Sequence, residues 1–355
     1  MEKRIIIHAG THKTGTTYLQ SFLSLNYNYL LDEGILFPLC GRLGRFGGHH
    51  NIAWQLNEDE RFKKKYGTFE SLCFEITQSK CRTIILSSED FEFLHLNTDK
   101  LHFLKKKFNE LGYVVKVILC FREEISYADS LYCELLKYGM DVSFDDFINE
   151  IIENGRFNFN KKQIYSFKYD EIEGGFKEVF GADGVYCLSY ANPIENLFFD
   201  AAGIAYVLSL KNIQPLPLVR SLRNAPMTHL AALALVKFNR VAALKGISEN
   251  RKKIGRNHII GYKLNFTGSE AAFASDASEY TFFGDTLKKN FTEIFQNHNL
   301  SFNFTKNEKP HISKIIDNHK YMKSIDKLVE KAMFIGSINP MFSKVLRKFY
   351  KMIYK

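Results

Sequence analysis

The start of the chain restricts its fold most. A β-branched run, Arg4–His8, passes into Gly10-Thr11-His12-Lys13-Thr14-Gly15-Thr16-Thr17, and a helical pattern begins at once with Tyr18-Leu19-Gln20-Ser21-Phe22. Strand, glycine loop and helix in this order open a parallel βαβ unit. The two glycines let backbone amides turn inward, and the first helical turn adds unpaired N–H groups and the positive end of the helix dipole. A loop of this kind is suited to holding phosphate.

Beyond the loop, short β-branched runs alternate with longer helical patterns. Strands are expected at Arg4–His8, Thr83–Leu86, Val114–Phe121 and Val185–Ser189, and helices at Thr17–Leu30, Asp99–Leu111, Ile125–Lys137 and Phe144–Glu153. After about residue 200 the pattern is mainly helical, with Thr228–Ala243 and Asp285–His298 the clearest segments and a polar stretch through His319. The expected fold class is α/β: a P-loop-type three-layer fold with a central parallel sheet flanked by helices, plus a mainly helical C-terminal part. The expected divisions are a domain over 1–300, with a nucleotide-binding core to about 200 and a helical region from 200 to 300, and an extension over 301–355. With 355 residues, 45% of them hydrophobic, the chain can bury a full core.

The spacing Gly10-x-x-x-x-Gly15 copies the phosphate loop of the NTPases. There a lysine follows the second glycine and reaches the β- and γ-phosphates; here that position is Thr16 and the lysine stands earlier, at Lys13. The group held is therefore not expected to be an ATP γ-phosphate. At this point the chain resembles the sulfotransferase superfamily, whose 5′-phosphosulfate loop reads K-[S/T]-G-T-[S/T] after the first strand. Lys13-Thr14-Gly15-Thr16-Thr17 matches every position.

The resemblance implies a second signature that holds a 3′-phosphate: an arginine at the end of a later strand and a serine eight residues on. Arg122 ends the Val114–Phe121 strand and Ser130 lies two turns into the next helix. The planar guanidinium suits phosphate, provided that it is not spent on Glu123 or Glu124. Many relatives carry a proline shortly after this arginine, whereas here Glu123-Glu124-Ile125 follow. The co-substrate implied is 3′-phosphoadenosine 5′-phosphosulfate (PAPS), with no metal. Gly10, Thr11, His12, Lys13, Thr14, Gly15, Thr16, Thr17, Arg122 and Ser130 would bind it, and Lys13 would also act in catalysis.

Transfer to a hydroxyl needs a base. His49 and His50, in the polar stretch Gly47-Gly48-His49-His50-Asn51, and Glu89, in Ser87-Ser88-Glu89-Asp90 at a strand end, are the candidates, and the sequence does not choose among them. The acceptor expected is a hydroxyl-bearing glycan or glycolipid, on the resemblance to bacterial members and on Trp54 and Arg45 near the histidines. Segment Arg220–Asn224 loosely resembles a late family segment that approaches the nucleotide. Two other readings are a P-loop kinase or nucleotide hydrolase with Glu89 or Asp90 holding magnesium, and a non-catalytic nucleotide-binding protein with a membrane-docking tail.

The formal charge of +9 favours anionic partners in general, and no nucleic-acid motif is present. Cys40, Cys73, Cys81, Cys120, Cys133 and Cys187 have no metal-site or disulfide spacing and read as reduced thiols. Ile5–Ile7 is too short for an export signal, so a cytoplasmic location is expected and the sequons at Asn265, Asn290, Asn299 and Asn303 are expected to carry no glycan. From Lys331 to Lys355 there is no acidic residue, and Phe342, Val345, Leu346, Phe349 and Ile353 lie opposite Lys344, Arg347, Lys348 and Lys351 on a helix. Such a basic amphipathic helix packs on its own domain or makes peripheral contact with the inner face of a membrane.

Overall fold

The computed structural model describes residues 2–44, 47–191, 193–210, 213–214, 227, 229–262, 282–295 and 319–337. The chain divides into two compact units. The first takes in Met1–Tyr127, Asn154–Arg220 and Phe295–Asn303, and the second Ala128–Glu153, Ser221–Ile294 and Phe304–Lys355. The second unit thus includes a stretch, Ala128–Glu153, that the sequence pattern places in the nucleotide-binding half.

The strands are β1 (Arg4–Gly10), β2 (Ile35–Leu36), β3 (Thr83–Ser87), β4 (Val114–Phe121), β5 (Arg156–Asn158), β6 (Ile164–Ser166) and β7 (Val185–Ser189). Five of them form one sheet of the first unit in the order β2-β3-β1-β4-β7, parallel throughout, while β5 and β6 form a separate antiparallel pair. The fold is α/β with a parallel central sheet flanked by helices, as the alternation of short and long patterns predicts. Ile5, Ile6 and Ile7 are all buried because both faces of β1 are covered, which is why the strand reads as a continuous apolar run.

The helices of the first unit are α1 (Thr16–Leu25), α2 (Tyr27–Asp32), α3 (His50–Leu56), α4 (Phe69–Gln78), α5 (Thr98–Glu110), the start of α6 (Glu124–Lys137), α8 (Tyr169–Phe180) and α9 (Ile194–Ala201); the rest of α6 and α7 (Phe144–Asn154) fall in the second unit. On one face Ile6, Ile85, Ile118 and Cys120 pack against Leu19, Phe22 and Leu23 of α1 and Ile194, Phe198 and Phe199 of α9. The single helix expected over Thr17–Leu30 is broken at Asn26. That side chain is fully buried: its amide donates to the carbonyls of Phe22 and Gln214, and its oxygen accepts the Gln214 amide. A side chain that bonds backbone in this way competes with the helix ladder.

Register sets where the site can lie. His8 is level with Ser87, Gly10 with Cys120, and Phe121 with Ser189. The segments leaving β1, β3, β4 and β7 therefore emerge at one carboxyl edge, where open parallel sheets bind ligands.

In the second unit, α10 (His229–Leu244), α11 (Glu249–Tyr262), α12 (Asp285–Phe295) and α13 (His319–Ser337) follow. Tyr132, Phe144, Phe147 and Phe282 form an aromatic cluster there, extended by Phe283 and Phe291. Helix α13 begins at His319, where the expected polar stretch ends; the rest of that stretch lies outside the described residues. Among the described residues no helix is long and apolar enough to cross a membrane. The basic face expected at Phe342–Ile353, Arg45 and the segment Arg220–Asn224 lie outside the described residues.

Candidate active site

The loop after β1 holds three left-handed backbone positions, Gly10 (φ 113°), Lys13 (φ 69°) and Gly15 (φ 77°). For Lys13 that conformation is strained, and such strain persists only where the surroundings impose it. A side chain at Gly10 would meet the Cys120 carbonyl oxygen at 2.2 Å, so β1 and β4 touch there with no room for a Cβ. The loop is pinned to β4 and to itself: the Thr11 amide donates to the Cys120 carbonyl and the Thr14 hydroxyl to the Thr11 carbonyl. Both threonines are buried, with the Thr11 hydroxyl spent on β4 and the Thr14 hydroxyl on the loop. Helix α1 then starts at Thr16 with Gly15 as its cap, no side-chain cap bond and no acidic residue in its first turn. By contrast, the Thr68 hydroxyl caps α4. An uncapped, acid-free helix start beside a lysine is an arrangement that suits an anion.

Arg122 leaves β4 next to this loop. Its guanidinium donates to the Lys13 carbonyl at 3.0 Å and lies over the Tyr190 ring, while the Tyr169 hydroxyl donates to the Arg122 carbonyl. Among the described residues no carboxylate pairs with Arg122. Glu123 accepts the amides of Ile125 and Ser126 at the start of α6, and Glu124 is buried, which pushes its carboxyl up to about 7. The ion pair that would have made Arg122 purely structural does not form. Ser130, on α6, belongs to the second unit and is half-buried.

At the ends of β1 and β3 lies a cluster of histidines and acids. His50 does not sit in a flexible glycine stretch: it is the first residue of α3, and Gly48 packs so closely on Gln20 and the Ser87 carbonyl that a Cβ would meet both at 2.3 Å. His49 is fully buried. Its Nδ1 accepts the Ser87 amide and its Nε2 donates to the Pro38 carbonyl, so both ring nitrogens are committed and burial lowers its pKa to about 3. That leaves it no nitrogen for proton transfer; it ties α3 to β3. Glu89 opens the 3-10 helix Glu89–Leu96, is half-buried and accepts from Gln20.

Asp90 is the centre of the cluster. His50 Nδ1 is 2.9 Å from its Oδ2, Arg61 Nη2 is 3.3 Å from its Oδ1, and His12 Nε2 is 3.8 Å from its Oδ1. His12 Nδ1 lies a further 3.8 Å from Glu92, so both His12 contacts are ion pairs and too long for hydrogen bonds. The His12 ring also stacks on Phe93 and meets Tyr165 edge-on. Burial opposes the His12 charge, but Asp90, Glu92 and Glu89 outweigh it and hold the ring well above the usual histidine range. Burial likewise opposes the charge on Asp90, yet His12 and His50 keep it well below the usual carboxylate range. Glu92, fully buried, is pushed up to about 7 by burial in spite of His12. His50 is raised, burial being outweighed by Glu89 and Asp90.

The structure thus gathers Lys13, Thr16, Thr17, Arg122, His12, His50 and Glu89 at one sheet edge, and turns Thr11, Thr14 and His49 to structural bonds. Sequence reasoning missed Tyr190, which follows β7 and would touch a Cβ at Gly15 at 3.0 Å, although the strand-end rule that singles out Arg122 points to it too. It missed Arg61 and Glu92 as well, and considered Asp90 only as a metal ligand.

No family model and no curated protein matches the chain. Among solved structures, the chain is similar to a sulfotransferase from Alicyclobacillus acidocaldarius at 14% identity, over 71% of this chain and 100% of that one, with a TM-score of 0.37. A likeness of that degree carries no weight for function.

Proposed function

We propose that the chain is a sulfotransferase that moves a sulfuryl group from PAPS to an acceptor hydroxyl. The observation that supports this most is the pairing, at one sheet edge, of an uncapped helix start preceded by Lys13 with an arginine that no carboxylate among the described residues neutralises. These residues fit an anionic nucleotide: Lys13, Thr16, Thr17 and the first-turn amides for a 5′-phosphate, Arg122 for a 3′-phosphate, and the Tyr190 ring beside Gly15 as a wall.

When bound, PAPS supplies a sulfuryl group joined to its 5′-phosphate by an oxygen bridge. Lys13 meets the charge that grows on that oxygen as the S–O bond breaks. His50, or Glu89 beside it, takes the acceptor proton as the new O–S bond forms, leaving 3′,5′-adenosine diphosphate and a sulfate ester. The acceptor class is a glycan or glycolipid hydroxyl; Trp54, whose ring centre is 6.1 Å from that of His50 and which carries the Arg61 guanidinium 4.6 Å above its ring, sets an aromatic side chain beside the base. A magnesium-dependent kinase is disfavoured by Asp90, whose oxygens already face His12, His50 and Arg61.

The test is transfer of label from ³⁵S-labelled PAPS to a panel of oligosaccharides and glycolipids, with Lys13→Ala as the blank. Label in a hydroxyl acceptor, absent with the variant, is the expected result. Transfer of the γ-phosphate of magnesium-ATP to the same panel, with no sulfuryl transfer, would overturn the proposal.

A further inference from the structure

Asp90 is buried at the start of the 3-10 helix, and its two oxygens are divided between different elements: Oδ2 serves His50 on α3, while Oδ1 faces Arg61 and His12 of the phosphate loop. Held ionised by these groups, a carboxylate can only accept. In the 2.9 Å contact the hydrogen therefore belongs to His50 Nδ1. The Ser88 hydroxyl, 2.9 Å from the same nitrogen, accepts the Asp90 amide and can serve as a second acceptor. The neutral His50 ring then keeps its lone pair on Nε2, which has no hydrogen-bond partner among the described residues.

We propose that Asp90 is a positioning residue of the transfer reaction: it fixes His50 in the Nδ1–H tautomer, making Nε2 the base, and the same carboxylate ties that base to the phosphate loop through His12. One group thereby orients both the acceptor side and the donor side. This rests on the sulfotransferase reading. It also chooses between the two base candidates, because Glu89 has no comparable anchor beyond the 3.4 Å contact with Gln20.

The charged groups around His50 are Glu89 and Asp90 from the 3-10 helix, His12 from the loop and the neutral His49 before it in the chain; Arg61, forked onto Asp59, faces Asp90 from the segment after α3. Asp90→Asn removes a hydrogen bond and a charge that both raise the His50 pKa, so the acid limb of kcat/KM moves to lower pH. The new amide can donate to Nδ1 and favour the tautomer with hydrogen on Nε2, which is no base. kcat then falls by about 10²-fold or more, with the KM for PAPS nearly unchanged. A merely structural loss would lower the folded fraction without shifting the pH profile.

Two measurements test this, and neither depends on the other. ¹⁵N spectra of the histidine rings in the wild-type protein should show His50 protonated at Nδ1; the opposite tautomer overturns the proposal whether or not the variant folds. In the variant, an unshifted acid limb with kcat within about threefold of wild type overturns it as well. Thermal stabilisation by 3′,5′-adenosine diphosphate separates the two readings: wild type that fails to respond refutes the sulfotransferase assignment itself, whereas wild type and variant that both respond, with turnover intact in the variant, refute only the role of Asp90.

Discussion

Gly10→Ala puts the packing of the phosphate loop to a quantitative test. The φ of 113° at Gly10 is strained for any L side chain, and a Cβ there would lie 2.2 Å from the Cys120 carbonyl oxygen and 2.4 Å from its nitrogen. These are main-chain atoms in the middle of the sheet and cannot swing aside. The left-handed conformation costs about 1–2 kcal/mol and forced overpacking about 1–3 kcal/mol, so the loss should be about 2–5 kcal/mol. Gly112→Ala is the matched control, since Gly112 has φ 82° and open space for 4 Å around the point where a methyl would stand. It should lose only the about 1–2 kcal/mol of conformational strain. Urea unfolding of both variants beside wild type gives the two losses from the midpoints, provided that m is unchanged. A Gly10→Ala loss no greater than that of Gly112→Ala would refute the claim that the loop is pressed onto β4.

Other substitutions separate chemistry from structure. Lys13→Ala should abolish turnover while leaving most of the affinity for 3′,5′-adenosine diphosphate, as measured by calorimetry, because the loop amides remain. Asn26→Ala should cost about 1–3 kcal/mol in urea unfolding, since it leaves the buried Phe22 and Gln214 backbone groups without partners. His49 stays neutral in the fold down to about 3 but takes a proton near 6.5 when unfolded. Stability should therefore fall as the pH drops through that window, and His49→Gln should flatten the fall by up to about 1.4 kcal/mol per pH unit, read from unfolding midpoints across pH.

The sheet was legible because its inner strands are short, largely apolar on both faces and separated by helical spacing; Val114–Phe121 and the partly exposed edge strand Val185–Ser189 have the bounds expected of them. The loop was legible because it is local: eight consecutive residues carry it. The helix that starts at His50 was not, because α3 spans only seven residues behind two glycines and offers little periodicity, although His50 itself stood among the base candidates. Asp90 could not be weighed correctly from the chain alone. Its partner His12 is brought to it by the pairing of β1 with β3, a contact across 79 residues of sequence at His8 and Ser87, and His50 and Arg61 come with α3 and the segment after it, which His49 ties to β3. Tyr190 was within reach, since it follows a strand whose carboxyl end had been placed. Asn26 shows the reverse case, where apolar spacing continues but a side chain that bonds backbone ends the helix.

Thermal unfolding with nucleotides in the presence of EDTA tests the central claim most directly. Wild type should be stabilised by 3′,5′-adenosine diphosphate without magnesium, by about 2.7 kcal/mol at a concentration about one hundred times Kd, and Arg122→Ala should lose most of that response. Stabilisation by magnesium-ATP with none from the bisphosphate, or an equal response from Arg122→Ala and wild type, would contradict the account.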